Sequence, residues 1–281
     1  SATYVGYRVA QRLATALPSA AAFGFAEWLA DVQWRWSAAD RRAVQANLSR
    51  ILGAPLPTSS PMVREVFRHF GRYLVEFFAM HDVKAPGIRL EGDEHLASAL
   101  RAGRGAIALT AHLGNWELAA VVIRRMGIPL TAVALPHQDP RMDRLFNQQR
   151  RRCEIDVIPL GPDAARLSLQ CLRRGGVLGL LGDRTFTRHG IATPLGTGKV
   201  LLPSGPAILS LRSQAPMVPL FLLREGIWKF RFCIEPPIWP SRTTSIRQLT
   251  DTYAAVLERY LKRFPDQWLM FRPIWEGDDS G

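Results

Sequence analysis

From Pro86 onward the chain alternates short apolar runs with segments of helical pattern, and this alternation narrows the architecture to one class. The runs are Ile88–Leu90, Ala106–Thr110, Leu130–Ala134, Val157–Pro159, Val177–Leu181, Val218–Leu223 and Phe230–Ile234. Each is short and bounded by Gly, Pro or polar residues, as buried strands are. Between them, helices are expected near residues 93–102, 115–126, 140–153, 163–174 and 204–213, with a last one near 244–264. Strands that alternate with helices build an α/β sandwich.

Upstream the pattern is helical. Residues 38–52 predict a helix closed by Gly53 at its C′ position. Pro55–Pro61 is a linker in which Ser60 and Pro61 supply the N-cap and first residue of a long helix. That helix runs to about His81 and carries Val63, Val66, Phe67, Phe70, Leu74, Phe77 and Phe78 on one face. The best boundary lies near 84–87. It separates a helical part, residues 1–84, from an α/β part, residues 85–281, and the two are expected to pack as one unit. Residues 4–36 are unusual: Trp28, Trp34 and Trp36 sit among aliphatic residues, with Arg8, Arg12 and Arg35. Such a helix pair can lie in a membrane interface, aromatics down and arginines at phosphate level. It can equally pack on the core, and periodicity does not separate the two.

A hydrophobic fraction of 47% over 281 residues identifies a folded protein. Against 24 acidic residues stand 36 basic ones, a net charge of +12. That excess implies an anionic partner: a membrane surface, a phosphorylated substrate or nucleic acid. No nucleic-acid signature accompanies it, so nucleic acid is not expected. Cys153, Cys171 and Cys233 are widely spaced and form no metal or redox pair, so reduced cytosolic thiols are expected. No cleavable leader is expected. No uninterrupted apolar run reaches the length of a membrane span.

The chemistry concentrates at Ala111-His112-Leu113-Gly114-Asn115-Trp116-Glu117. A histidine stands at the C-terminal end of one expected strand. Gly114 allows a tight turn, and Glu117 sits in the first turn of the next helix. In α/β folds ligands bind at that edge. A histidine with a carboxylate close behind it is a general base with its orienting partner. The same residues also suit a structural histidine beside a glutamate drawn to a helix N-terminus.

A second acid, Asp183, ends the run Val177–Leu181 and is followed by Arg184, Arg188 and His189. Adjacent parallel strands would bring Asp183 toward His112; a solvated loop is the plainer alternative. The helix from Pro140 carries Arg144 and Arg150, either of which can hold a phosphate bidentately if it faces the site. Other chemistries fail. Gly196-Thr197-Gly198-Lys199 lacks the remaining positions of a P-loop, with Thr193 and Val200 in their place. There is no Gly-x-Ser-x-Gly elbow. His112, His137 and His189 are not spaced as a zinc site, and no metal is expected.

His112-Leu-Gly-Asn-Trp-Glu117 resembles the His-x4-acid motif of the lysophospholipid acyltransferase superfamily, in the form seen in lipid A lauroyl/myristoyl acyltransferases and phosphatidylinositol mannoside acyltransferases. The likeness extends to Arg41-Arg42 through Asn47-Leu48, Asp139-Pro140 through Arg150, Asp183-Arg184, Pro203–Pro206, Pro216–Pro219 and Pro265-Asp266-Gln267-Trp268. The superfamily's Glu-Gly-Thr block is missing; Leu195-Gly196-Thr197 is its nearest remnant. The resemblance implies a mixed, largely parallel sheet flanked by helices and preceded by a helical segment. It implies transfer of a fatty acyl chain from a thioester, of acyl carrier protein or coenzyme A, to a hydroxyl of a membrane lipid, without a bound cofactor. His112 would be the base, with Glu117 or Asp183 holding its other ring nitrogen. Gly114, Asn115, Arg150 and Arg184 would contact substrate. An apolar groove between the N-terminal helices and the sheet would take the acyl chain. The enzyme is expected to be peripheral, on the cytoplasmic face of the inner membrane. A thioesterase using the same histidine, or a basic membrane-binding protein without turnover, remain the alternatives.

Overall fold

The run Ala106–Thr110 is buried at every position, so water competes for none of its side chains or backbone groups. A strand in that position must have neighbours on both edges and layers on both faces. The computed structural model describes residues 2–83, 86–185 and 190–275 and supplies both. The strands are β1 (Gly87–Glu91), β2 (Ala106–Thr110), β3 (Leu130–Ala134), β4 (Asp156–Pro159), β5 (Val177–Leu181), β6 (Gly190–Leu195), β7 (Gly198–Pro203), β8 (Met217–Gly226) and β9 (Lys229–Ile234). Seven form one sheet in the order β1-β9-β8-β2-β5-β3-β4, with β2 in the middle. All pairings in it are parallel except β8 with β9, so the sheet is mixed and largely parallel.

Four helices precede the sheet: α1 (Ala2–Ala16), α2 (Ser19–Trp36), α3 (Ala38–Leu52) and α4 (Pro61–Ala79). The others are α5 (Asp93–Arg101), α6 (Trp116–Arg125), α7 (Pro140–Arg152), α8 (Ala164–Arg173), α9 (Gly205–Ser213) and α10 (Ile246–Arg263). Local chemistry sets their ends. Ser60 accepts from the Met62 N–H with Pro61 behind it, Gly53 closes α3 in the left-handed region, and Ser245 with Gln248 forms a capping box on α10.

The sheet separates two cores. On one face β2 residues Ala106 and Ala108 pack with α4, α6 and α7; on the other Ile107 and Leu109 pack with α9 and α10. Phe23 of α2 and Phe67, Phe77 and Phe78 of α4 belong to the first core, so the helical segment and the sheet share one buried interior.

The hairpin β6–β7 is absent from the sequence reading, which treated its turn as a failed phosphate loop and as the nearest remnant of the Glu-Gly-Thr block. Gly196 has a φ of 57°, and a Cβ there would lie 2.4 Å from the Arg50 carbonyl oxygen. Thr197 N–H donates to that same oxygen, so the hairpin tip is docked on the end of α3.

Candidate active site

Register brings the site together. β2 and β5 are parallel neighbours with Thr110 opposite Leu181, and His112 and Asp183 each follow two residues later. Both side chains therefore leave the C-terminal edge of the sheet at one level. His112 Nδ1 lies 2.9 Å from Asp183 Oδ1, and the His112 backbone N–H donates to Asp183 Oδ2 at 2.9 Å. Trp268 Nε1 donates to that same Oδ2 at 3.0 Å. Asp183 is fully buried, which alone would push its carboxyl up. The adjoining imidazole and the three donors outweigh burial and hold it below the usual carboxylate range. An ionised carboxylate only accepts, so Nδ1 carries the proton and Nε2 is the basic nitrogen. Trp116 packs edge-on against the imidazole, with ring centroids 4.9 Å apart.

The other acid goes elsewhere. Arg150 of α7 donates to both Glu117 oxygens, at 2.6 and 3.1 Å. Among the described residues no hydrogen bond or ion pair joins Glu117 to His112. Burial works against the Arg150 charge, but Glu117 beside it more than compensates and raises its basicity. Arg144, on the same helix, is exposed.

Gly114 and Asn115 stand behind the site, not in its wall. Gly114 has a φ of 65°, and a Cβ there would come within 2.0 Å of the Leu222 carbonyl oxygen, so the turn can press on β8 only as glycine. Asn115 is fully buried. Its Oδ1 caps α6 through the Leu118 N–H at 2.9 Å, and its Nδ2 donates to Glu76 at 2.7 Å. Glu76 is in turn gripped by Arg224 at 2.5 and 2.6 Å, and Arg224 Nη1 lies 2.6 Å from His69 Nδ1. The N–H groups of Gly114 and Asn115, just ahead of α6, bond to the Gln267 and Leu222 carbonyls.

In front of His112 lies a cavity of about 640 Å³. Ala119, Ala120, Ile123, Leu130, Ala132 and Gly179 form its apolar wall beside α6, while Leu169, Ile208 and Leu209 extend it between α8 and α9. His112, Glu117, Arg150 and Arg184 supply polar lining, and Arg212 adds a further cation. Burial and neighbouring Arg272 push the Arg184 guanidinium below its ordinary basicity. The groove expected between the N-terminal helices and the sheet is not where this cavity lies. Of those helices only α4 reaches it, through Tyr73, because α1 has already filled the intervening space with Tyr7 against Phe78 and Phe146. Arg188 and His189, singled out beside Asp183, lie outside the described residues. Among the described residues no cluster suits a metal.

Sequence reasoning missed Tyr73, which stacks on Trp116 at 4.5 Å, although it lies at helical spacing from Phe70 and Phe77. It assigned no role to Trp268, and it missed Glu76 and Arg224, whose contacts cross between distant elements.

A half-buried histidine on a buried carboxylate, facing a largely apolar cavity that arginines also line, suits an enzyme that works on acyl chains. The chain belongs to the bacterial lipid A biosynthesis acyltransferase family, whose model matches residues 3–276. It is an O-acyltransferase of that type. It is 28% identical to a phosphatidylinositol mannoside acyltransferase of Mycolicibacterium smegmatis (strain ATCC 700084 / mc(2)155) over 99% of this chain and 93% of the relative. It is 27% identical to the phosphatidylinositol mannoside acyltransferase of Mycobacterium tuberculosis (strain CDC 1551 / Oshkosh), over 84% of this chain and 78% of that protein.

Proposed function

We propose that this acyltransferase moves a fatty acyl chain from a thioester, of coenzyme A or acyl carrier protein, to a hydroxyl of a membrane glycolipid, with His112 as general base. The observation that carries the reading is the 2.9 Å contact of His112 Nδ1 with Asp183, which leaves Nε2 for the cavity. Nε2 takes the acceptor hydroxyl proton as that oxygen bonds to the thioester carbonyl carbon. The C–S bond of the resulting tetrahedral species then breaks, and the imidazolium returns its proton to the leaving thiolate. Asp183 keeps the ring oriented and balances the imidazolium charge. Glu117 serves the site by holding Arg150 at the cavity end. Arg150, Arg184 and Arg212 suit the phosphates of donor or acceptor. The apolar walls accept the acyl chain. No bound cofactor enters this chemistry.

A phosphatidylinositol mannoside is the first acceptor to test, given the named relatives, and a lipid A precursor the second. Purified protein, acyl-CoA and acceptor vesicles are incubated and the lipids read by mass spectrometry. One added acyl group supports the reading; free fatty acid alone would make the protein a thioesterase.

The same reading places the enzyme on the cytoplasmic face of the inner membrane as a peripheral protein. Among the described residues no helix is long and apolar enough to cross a bilayer. Its contact with an anionic surface rests on α1 and α2, which expose Val5, Val9, Phe25, Trp28, Leu29 and Trp36. Exposed Arg12 and Arg35 flank that face, at phosphate level. Trp34, counted with the other tryptophans from sequence, is half-buried, with the Arg41 and Arg64 guanidinium groups each 5.8 Å from its ring. Co-sedimentation with anionic vesicles at low salt tests the placement.

A further inference from the structure

We infer that Trp268 is a positioning residue for the base, acting on His112 through Asp183. The inference rests on the proposed roles of that pair.

Residues 265–269 touch both partners at once. Trp268 Nε1 donates to Asp183 Oδ2 at 3.0 Å. The Leu269 N–H donates to the His112 carbonyl at 2.7 Å, and the Gln267 carbonyl accepts from the Gly114 N–H at 3.0 Å. The segment is itself clamped: the Gln267 side chain accepts from the Arg224 N–H at 2.8 Å and donates to the Arg224 carbonyl at 2.9 Å. Trp268 is only 1% exposed and packs edge-on against Trp275. Where volume alone is wanted, phenylalanine or leucine serves without the cost of placing an indole N–H, which when buried needs a partner. Here the indole N–H is spent on the one carboxylate that grips the base.

The consequence is electrostatic. A donor to Asp183 spreads the carboxylate charge and lowers its hold on the imidazole proton. Without the indole N–H the carboxylate is more basic, and the pair retains its proton to higher pH. The other ionisable groups around the pair are Tyr253 of α10, Arg184 after β5, and Glu117 with Arg150 across the cavity. Two of them are already engaged: Tyr253 spends its hydroxyl on the Thr110 carbonyl at 2.8 Å, and Arg150 is held by Glu117.

The test is replacement of Trp268 by 3-benzothienylalanine, which keeps the bicyclic shape and exchanges only N–H for sulfur. Trp268→Phe is the second variant. Two readouts are taken: the acid limb of kcat/KM against pH, and the titration of the His112–Asp183 pair by NMR on histidine-labelled protein, which needs no turnover. We expect the limb and the NMR midpoint to move together to higher pH by about half a unit or more, and kcat/KM below the limb to fall about threefold or more. A midpoint that stays at the wild-type pH in the benzothienyl protein overturns the inference, even if activity drops, because packing alone would then explain Trp268. His112→Ala is run alongside. If it retains turnover, the proposed base fails, while the NMR midpoint still decides what Trp268 does to the pair.

Discussion

The turn after β2 and the α1–α2 hairpin reverse the usual distribution of polarity in opposite senses. Around His112 the interior holds ionisable groups: Glu76 and Asp183 are almost wholly buried, and Arg224 is 7% exposed. On α2 two acidic residues turn toward α4 while several large apolar residues face out. Asp31 is bonded by Arg64 and Arg68 of α4, and Glu27 by Arg72, while Trp28 is 59% and Trp36 84% exposed. Those arginines hold the Asp31 carboxyl well below the ordinary range. Folding alone asks for neither arrangement, since buried charge is costly and exposed aromatic area gains nothing from water. Each marks a place where the chain is organised for something other than its own stability. In the proposed reading the buried charges hold the base still, and the exposed apolar face meets a membrane.

The comparison breaks first at His112. His112→Ala removes a group that lines a cavity and, among the described residues, bonds through its ring to Asp183 alone. We expect kcat/KM to fall by about 10²–10⁴, the usual worth of a general base, while the melting temperature stays close to wild type. Turnover within tenfold of wild type would show that the buried charges serve stability after all.

Arg224→Ala asks how much stability the buried charges carry. It leaves the buried Glu76 carboxyl with Asn115 as its one remaining side-chain partner among the described residues, and breaking a buried pair in this way typically costs about 3–5 kcal/mol. Urea unfolding should show that loss. The double variant Glu76→Leu with Arg224→Met should recover most of it, because apolar residues of similar volume replace buried ion pairs at little cost. A double variant as unstable as the single one would mean that the pair stabilises the fold in its own right.

Much of this was legible in the sequence, and the exceptions have a common cause. The strands of the central sheet lie where short apolar runs between breakers put them, because burial on both faces leaves a one-dimensional signature. The approach of Asp183 to His112 was legible too, since two strand ends need only be neighbours. The partner of Glu117 was not. Reaching Arg150 requires α7 to lie across the first turn of α6, and no local pattern encodes that crossing. Arg224 ends the apolar run Val218–Leu223, where a charge reads as the strand meeting solvent. Only Glu76 from α4 reveals that it is interior. Likewise the face of α2 that packs inward is chosen by the arginines of α4, 33 to 45 residues away, and the pattern along α2 alone does not contain them.

A smaller effect should appear with pH. His69 faces Arg224 and Arg72 as well as Glu65 and Asp266, and burial with the nearby arginines lowers its pKa below the ordinary 6.5. Below 6.5 the unfolded chain therefore binds a proton that the folded chain resists. Stability rises with pH through that window and is lost as pH falls toward the folded value. Unfolding midpoints in urea should be lower at pH 5.5 than at pH 7.5, and His69→Gln should flatten that difference. An unchanged slope in the variant would remove His69 from the account.

The smallest effect on the fold is expected on the hairpin, and it separates surface from core most sharply. Phe23 is 2% exposed and Phe25 40%, on opposite faces of one helix. Deleting residues 1–36 would strip Phe23 and Ala30 from the core, so point changes on the outer face give the cleaner answer. Trp28→Ser with Trp36→Ser removes aromatic area that touches little of the protein, and unfolding free energy should change by no more than about 0.5 kcal/mol. Burying two tryptophans in an interface is worth a few kcal/mol at roughly 25 cal/mol per Å². Partition to anionic vesicles should therefore weaken about tenfold or more. Salt acts on the other component: it screens Arg12 and Arg35 but leaves aromatic burial untouched. Wild type should thus be released only partly by high salt, and the double serine variant almost completely. If the double variant binds vesicles as wild type does and instead loses stability, the outward face of α2 belongs to the fold, and the contrast with the buried charges disappears.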